Sequence, residues 1–245
     1  NGFIVLSVVI WVLSYRPDTG WIKPLLCVGI FLSVAFPSQS GAFFGVVDAK
    51  AFWHSALLPM LFLTSAVTAG SALLLVVRHH LGGDDDPGLP RIRLFTLIGL
   101  CIYFVFEFAE FSIALWNPVS HAPAIELVLF GPYWWVFWIV HLAIGGALPL
   151  YLLSRRTISA WWIGALLVAI TFVATRLNVL VPGQAVGEIQ GLQEAFWHPR
   201  LKYIYHATAM EYLVGLFMLA AGMSIFYLGY HISRRVARIG QGGAA

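Results

Sequence analysis

Charge is what this sequence has least of. Asp, Glu, Lys and Arg together make up 10% of its 245 residues, against about 25% in soluble domains. A chain so poor in charge cannot solvate a globular surface. With 60% apolar residues and a mean hydropathy of +0.85, it has lipid as its solvent. Cysteine is scarce as well. Cys27 and Cys101 sit far apart inside apolar runs, so no CxxC pair exists to hold zinc or an iron–sulfur cluster, and any such cluster belongs to a partner. A basic face is also missing. The 14 Lys and Arg are scattered through short segments between hydrophobic runs, which excludes a nucleic-acid surface despite the net charge of +3. There is neither a starting Met nor the charged leader of a signal peptide ahead of the apolar stretch Gly2 to Leu13. The full protein is expected to begin earlier.

What the sequence does contain is a series of long apolar runs. A spanning helix needs roughly 20 such residues, and seven runs qualify or nearly do: 2–15, 20–36, 54–77, 94–115, 132–153, 159–176 and 209–230. They predict an all-α integral membrane protein, a polytopic helix bundle of about seven spans forming a single transmembrane domain over residues 1–245. Charge bias sets the orientation. Arg16, Lys23, Arg78, Arg91, Arg93, Arg155, Arg156, Arg234, Arg235 and Arg238 fall on one side, while Lys50, Arg176, Arg200 and Lys202 fall on the other, ten against four. By the positive-inside rule the first side is cytoplasmic and includes the C-terminus. Tyr133, Trp134 and Trp135 then enter the fifth span from outside, and Trp161 and Trp162 enter the sixth from inside, as aromatic anchors do. The segment Gly82 to Pro90, with Asp84, Asp85 and Asp86, reads as a solvated cytoplasmic turn.

Ionisable groups at bilayer depth cost about 2.5 to 3.5 kcal/mol each on insertion scales, so each invites a functional explanation. Glu107 and Glu110 share one face of the fourth span, and His141 lies at matching depth on the fifth, its expected antiparallel neighbour. One reading makes Glu107, Glu110 and His141 a proton path; the other makes them hydrogen-bonded packing groups. A second group gathers at the external ends of the last two spans: Arg176, Asn178, Tyr205, His206 and Glu211. Arg176 and Glu211 are expected to pair, as either a structural clamp or part of a ligand site. Trp53 and His54 open the third span at the same level, as an interfacial anchor or a ligand contact. A b-type haem needs two axial ligands on facing helices. His141 has no such partner, because the other histidines lie at span ends or in loops, so haem is disfavoured.

Two stretches resemble a known family. Arg176-Leu177-Asn178, then Val181-Pro182-Gly183-Gln184, Gly191-Leu192, Tyr205 and Glu211 are similar to the C-terminal half of the NrfD/PsrC membrane subunits of polysulfide-reductase-like molybdoenzymes. Ser40-Gly41 through Phe52-Trp53-His54, Leu57-Leu58-Pro59, Ser65-Ala66 and Thr68-Ala69-Gly70 resemble that family's central loop and following helix. One departure stands after Tyr205, where Ala207 and Thr208 replace the family's usual Pro and Ser. The resemblance implies that about two N-terminal helices precede this chain. It also implies a haem-free subunit that exchanges electrons with menaquinone or ubiquinone. Such a subunit docks at its outer face on a ferredoxin-like iron–sulfur subunit, which in turn connects to a molybdopterin catalytic subunit in a prokaryotic cytoplasmic membrane. On this reading Trp53, His54, Arg176, Asn178, Tyr205, His206 and Glu211 contact quinone, while Glu107, Glu110 and His141 move protons. The competing readings are a proton-coupled transporter or channel lined by Glu107, Glu110 and His141, and a purely structural anchor for an external enzyme.

Overall fold

The computed structural model describes residues 2–15, 20–116, 122–187, 191, 195–196, 198 and 206–242. Among these residues the regular elements are helices: α1 (Gly2–Leu13), α2 (Ile22–Gly45), α3 (Leu58–Gly82), α4 (Leu89–Trp116), α5 (Ala122–Phe130), α6 (Val136–Ser154), α7 (Ile158–Thr171), α8 (Val173–Ala185) and α9 (Ala209–Gly242). Six stretches among the described residues are long and apolar enough to cross a bilayer: α2, α3, α4, α6, α7 with α8 as one interrupted span, and α9. The chain is thus a multi-span helical membrane protein. At 12 residues α1 falls short of a span; it reaches only ~18 Å, against a hydrocarbon core of about 30 Å. The segment expected as a plain loop before α6 holds the apolar helix α5.

Two compact units divide the chain. The first comprises residues up to Ser33 together with those from Ile204 onward. In it the Trp11 indole N–H donates to Ser233 Oγ of α9 at 3.0 Å, and Gly29 of α2 lies against Leu6 and Ile10 of α1. The second, Val34–Tyr203, holds the polar groups of interest. The division falls inside α2 where Pro37, lacking an N–H, leaves the Ser33 carbonyl without its helical donor.

In the second unit α3 packs along both α4 and α7, α6 packs along α7, and α8 packs against α5 and α6. Burial along α4 reverses the pattern of a soluble helix. Glu107 and Glu110 are buried while Val105 and Phe108 are exposed, Phe108 to 76%. Lipid-facing apolar residues and an interior that collects the carboxyl groups are what a bilayer selects.

The first 12 residues of α6, Val136–Ala147, are wound as a π-helix. Such windings mostly occur as single turns. Pro149 supplies the reason for this longer one. A proline in an α-helix removes its own N–H and crowds the carbonyl four residues back, here that of Gly145. The wider winding carries the Leu148 N–H to Ala143 O instead. Two glycines then allow close packing, since a Cβ on Gly145 would lie 2.4 Å from Thr171 Oγ1 and one on Gly146 2.4 Å from Phe104 Cζ. At the junction of α7 and α8, Thr171 and Thr175 bond back to the carbonyls of Leu167 and Phe172 at 2.7 and 2.8 Å. This pattern bends helices, and the interruption falls at Phe172.

Candidate functional site

The close packing of α6 on α4 and α7 brings His141 to Glu107. His141 is fully buried, and its Nε2 lies 2.8 and 2.9 Å from the two carboxyl oxygens of Glu107. Tyr103, one turn before Glu107, donates its hydroxyl to Oε1 at 2.8 Å. Phe172 and Phe104 close around the imidazole, with ring centroids 6.0 and 5.6 Å away. His141 Nδ1 is buried without a partner among the described residues. Glu107 is thus held by Tyr103 and His141 within one buried polar cluster.

One turn further along α4, Glu110 accepts a hydrogen bond from Ser55 Oγ at 2.6 Å. The same Ser55 oxygen accepts the Leu57 N–H at 3.2 Å, so the segment leading into α3 is tied to the carboxyl. Two further bonds fasten this segment to α8. Trp53 Nε1 donates to Val179 O at 2.8 Å, and Lys50 Nζ donates to Val186 O at 2.9 Å. Gly183 makes room for the indole, because a Cβ there would lie 2.0 Å from Trp53 Nε1.

From α8, Arg176 faces the same space. Its Nη2 donates to Ser65 Oγ at 3.0 Å, and its guanidinium carbon sits 3.7 Å from the Phe62 ring centroid. No ion pair within 4.0 Å joins it to a carboxylate among the described residues. The ring face replaces part of the lost hydration, yet a cation in a bilayer interior ordinarily has an anion beside it. Two residues on, the Asn178 amide nitrogen is buried with no acceptor among the described residues.

These side chains line one narrow cleft between α3, α4 and α8. Arg176, Asn178, Glu107, Glu110, Tyr103 and Ser65 supply its polar wall, and Phe52, Phe62 and Phe111 are among its apolar walls. Its free space is about 30 Å³, near one water's share of the liquid. A shallower, larger groove of about 410 Å³ between α5 and the end of α8 carries a single carboxyl, Glu126. Among the described residues no group of three or more His, Cys, Asp or Glu is placed to hold a metal ion.

The predicted residues are thus sorted by the structure. Arg176 and Asn178, expected at a quinone, meet Glu107 and Glu110, expected on a proton path, in one cleft with His141 directly behind. Trp53 is buried and fastens α8, whereas the His54 side chain is 56% exposed, 3.6 Å from Asp48. Glu211 belongs to the other unit, where Thr208 donates its N–H and its hydroxyl to Oε2 at 2.7 and 2.8 Å, and the Glu211 N–H returns to Thr208 Oγ1 at 3.3 Å. That is a capping box opening α9. His206 lies just before it, exposed, and Tyr205 lies outside the described residues. Sequence reasoning missed Tyr103, Ser55, Ser65 and Phe62. Tyr103 left a signal, standing four residues before Glu107 on the same helical face, and Ser65 stood in the family-like stretch Ser65-Ala66 without a role assigned to it.

Comparison with known proteins follows the same line. The family model described as "Polysulphide reductase, NrfD" matches residues 4–188. A selenate reductase subunit of Mesobacillus selenatarsenatis is 30% identical over 216 residues, covering 84% of this chain and 51% of its own length. The Hdr-like menaquinol oxidoreductase integral membrane subunit of Archaeoglobus fulgidus is 28% identical over 219 residues, covering 82% of this chain and 55% of its own. The chain spans about half the length of these curated relatives. No solved structure matches it significantly.

Proposed function

The chain belongs to the polysulphide reductase NrfD family, and on that premise we propose that it is the quinone-reactive membrane subunit of an oxidoreductase complex. The observation that carries this reading is the Arg176 guanidinium, bonded to Ser65 but without a carboxylate among the described residues, sharing a cleft with two carboxyl groups and with an Asn178 amide nitrogen that has no acceptor among those residues. A quinone offers two carbonyl oxygens and a quinol two hydroxyl protons, so donors and acceptors facing one another across a partly aromatic slot fit its head group.

A bound quinol supplies two electrons and two protons on oxidation. Arg176 and Asn178 hold an oxygen of the head group by donation, and the guanidinium favours negative charge developing there. Glu107 takes a proton, held in place by Tyr103 and His141. Glu110, nearer the end of α4 and tied to Ser55, takes the second or passes the first outward. With free space for about one water, the cleft admits the ring only when Phe52 or Phe62 swings aside. Menaquinone is the carrier favoured by the Archaeoglobus relative's name, with ubiquinone the other candidate. Electrons pass to a ferredoxin-like iron–sulfur subunit and a molybdopterin subunit on the outer face of a prokaryotic cytoplasmic membrane. Charge bias supports a cytoplasmic C-terminus.

The test is Glu107→Gln in the purified complex. Loss of a positioned proton acceptor lowers quinol turnover about 1,000-fold, while iron and molybdenum still co-purify. Wild-type turnover in an intact complex would remove Glu107 from the reaction, and a preparation without metal-bearing companions would remove the partner assignment.

A further inference from the structure

At the opposite end of the second unit from the cleft, four arginines stand at the level where spans begin and end. Arg91 and Arg93 lie in the first turns of α4, and Arg155 and Arg156 lie in the turn between α6 and α7. Among the described residues none of the four has a carboxylate within 4.0 Å. Two of the three acids in the turn between α3 and α4 are engaged elsewhere, Asp86 on Arg78 at 2.6 Å and Asp84 on His79 at 3.1 Å. The arginines are also held in place. Arg93 Nη1 donates to Arg155 O at 3.2 Å, and its guanidinium carbon lies 4.8 Å from the Trp161 ring centroid. Arg93 Nε is buried with no acceptor among the described residues. The Arg155 guanidinium carbon sits 4.3 Å from the centroid of the Tyr151 ring. The Trp161 indole N–H donates to the Arg155 carbonyl at 2.6 Å, which fixes the backbone of the turn.

The same turn opens α7. Thr157 is its N-cap with extended backbone, φ −92° and ψ 132°, and its hydroxyl makes no capping bond. The Ala160 and Trp161 N–H groups return to the Thr157 carbonyl at 3.1 and 3.3 Å, which leaves the Ile158 and Ser159 N–H groups and the positive end of the helix dipole uncompensated by a capping side chain. Two guanidinium groups held by ring faces, Arg93 on Trp161 and Arg155 on Tyr151, with Arg156 next in the same turn, stand beside an uncapped helix start, a combination that suits a phosphate-like anion.

Depth chooses the source of that anion. The turn lies between Ser154, where one span ends, and Ile158, where the next begins. Trp161, Trp162 and Tyr151 beside it mark the head-group zone. Phospholipid phosphates are the anions concentrated at that level. We propose that Arg93, Arg155 and Arg156, with the start of α7, bind the phosphate of an anionic phospholipid as a retained structural lipid.

The experiment uses the complex purified in mild detergent, with bound lipid identified by native mass spectrometry and thermal stability followed in nanodiscs. Wild-type protein is expected to retain anionic phospholipid and to be more stable in phosphatidylglycerol than in phosphatidylcholine discs. In R155Q/R156Q retention should fall about fivefold per arginine removed, and the stability difference between the two discs should disappear. R155K/R156K, which keeps charge without the planar fork, should fall between them. R234Q/R235Q, on α9, should retain the lipid. Equal loss in R234Q/R235Q and R155Q/R156Q, or wild-type retention in R155Q/R156Q, overturns the site. Stabilisation of phosphatidylcholine discs by inorganic phosphate as large as that by phosphatidylglycerol overturns the choice of lipid as its source.

Discussion

The two ends of the α3–α4 pair both bury polar groups, but of different kinds. Toward the start of α4, Ser71 and Thr96 satisfy themselves locally. Ser71 donates to Thr68 O at 3.0 Å, and the Thr96 hydroxyl lies 2.9 Å from Ile92 O and 3.0 Å from Ser71 Oγ. The Thr96 hydroxyl thereby ties α4 to α3, while the neighbouring Thr68 hydroxyl is buried without a partner among the described residues. Toward the end of α4 the interior holds a guanidinium without a carboxylate and an amide nitrogen without an acceptor among the described residues, and two carboxyl groups fastened to neighbours. A bundle selected only for packing would lose such groups, because each charge at that depth costs several kcal/mol. What separates the two ends is the ionisable groups buried in the interior at one of them, which on the proposed reading serve the quinone.

Four changes sharpen the contrast, beginning with the largest effect. Glu107→Gln should lower quinol turnover about 1,000-fold with little change in assembly. Gly145→Ala should destabilise by roughly 1–3 kcal/mol, since its methyl would sit 2.4 Å from Thr171 Oγ1. It should also slow turnover by displacing His141 from Glu107; thermal unfolding and quinol kinetics read the two together. Thr96→Val should cost about 1 kcal/mol for one lost hydrogen bond and leave turnover at the wild-type rate. A turnover defect in Thr96→Val would mean that the inner hydroxyls also serve the reaction.

The smallest effect concerns the turn between α3 and α4. The Gly88 N–H at 2.8 Å, and then the forked Arg78 contact, hold the Asp86 carboxyl below its ordinary value of 3.8. A lowered value means that Asp86 contributes its stability in full above 3.8, and that this is lost as pH falls through the depressed value. Wild-type melting temperature should therefore drop more steeply than that of Asp86→Asn below this pH, and the two slopes should run parallel above it.

Much of the fold was legible because lipid imposes a coarse, additive signal. Runs of apolar residues give spans, and arginine bias gives their alternation, which the shared contacts of Arg93 with Arg155 and Trp161 respect. The Glu107–His141 pair was legible for a related reason, since two costly residues at equal depth on consecutive helices have few places to go. Convergence of Arg176 with Glu107 was not legible. It depends on α8 packing against the π-wound part of α6, and hence on Pro149 and two glycines whose effect is purely steric. Thr208, three residues before Glu211, is a capping signature legible in the sequence, and the structure shows that box at the start of α9. His54 drew notice as an ionisable group beside Trp53, whereas the indole itself carries the buried contact.

The central claim is that Arg176, without a carboxylate among the described residues, holds a quinone head group. The direct measurement is the affinity of a quinol-analogue inhibitor for the purified complex, by fluorescence quenching, in wild type and Arg176→Gln. The account predicts that affinity falls at least about tenfold, as for loss of a charged hydrogen bond, with the full set of subunits and the melting temperature retained. Undiminished affinity in an intact Arg176→Gln complex would contradict it.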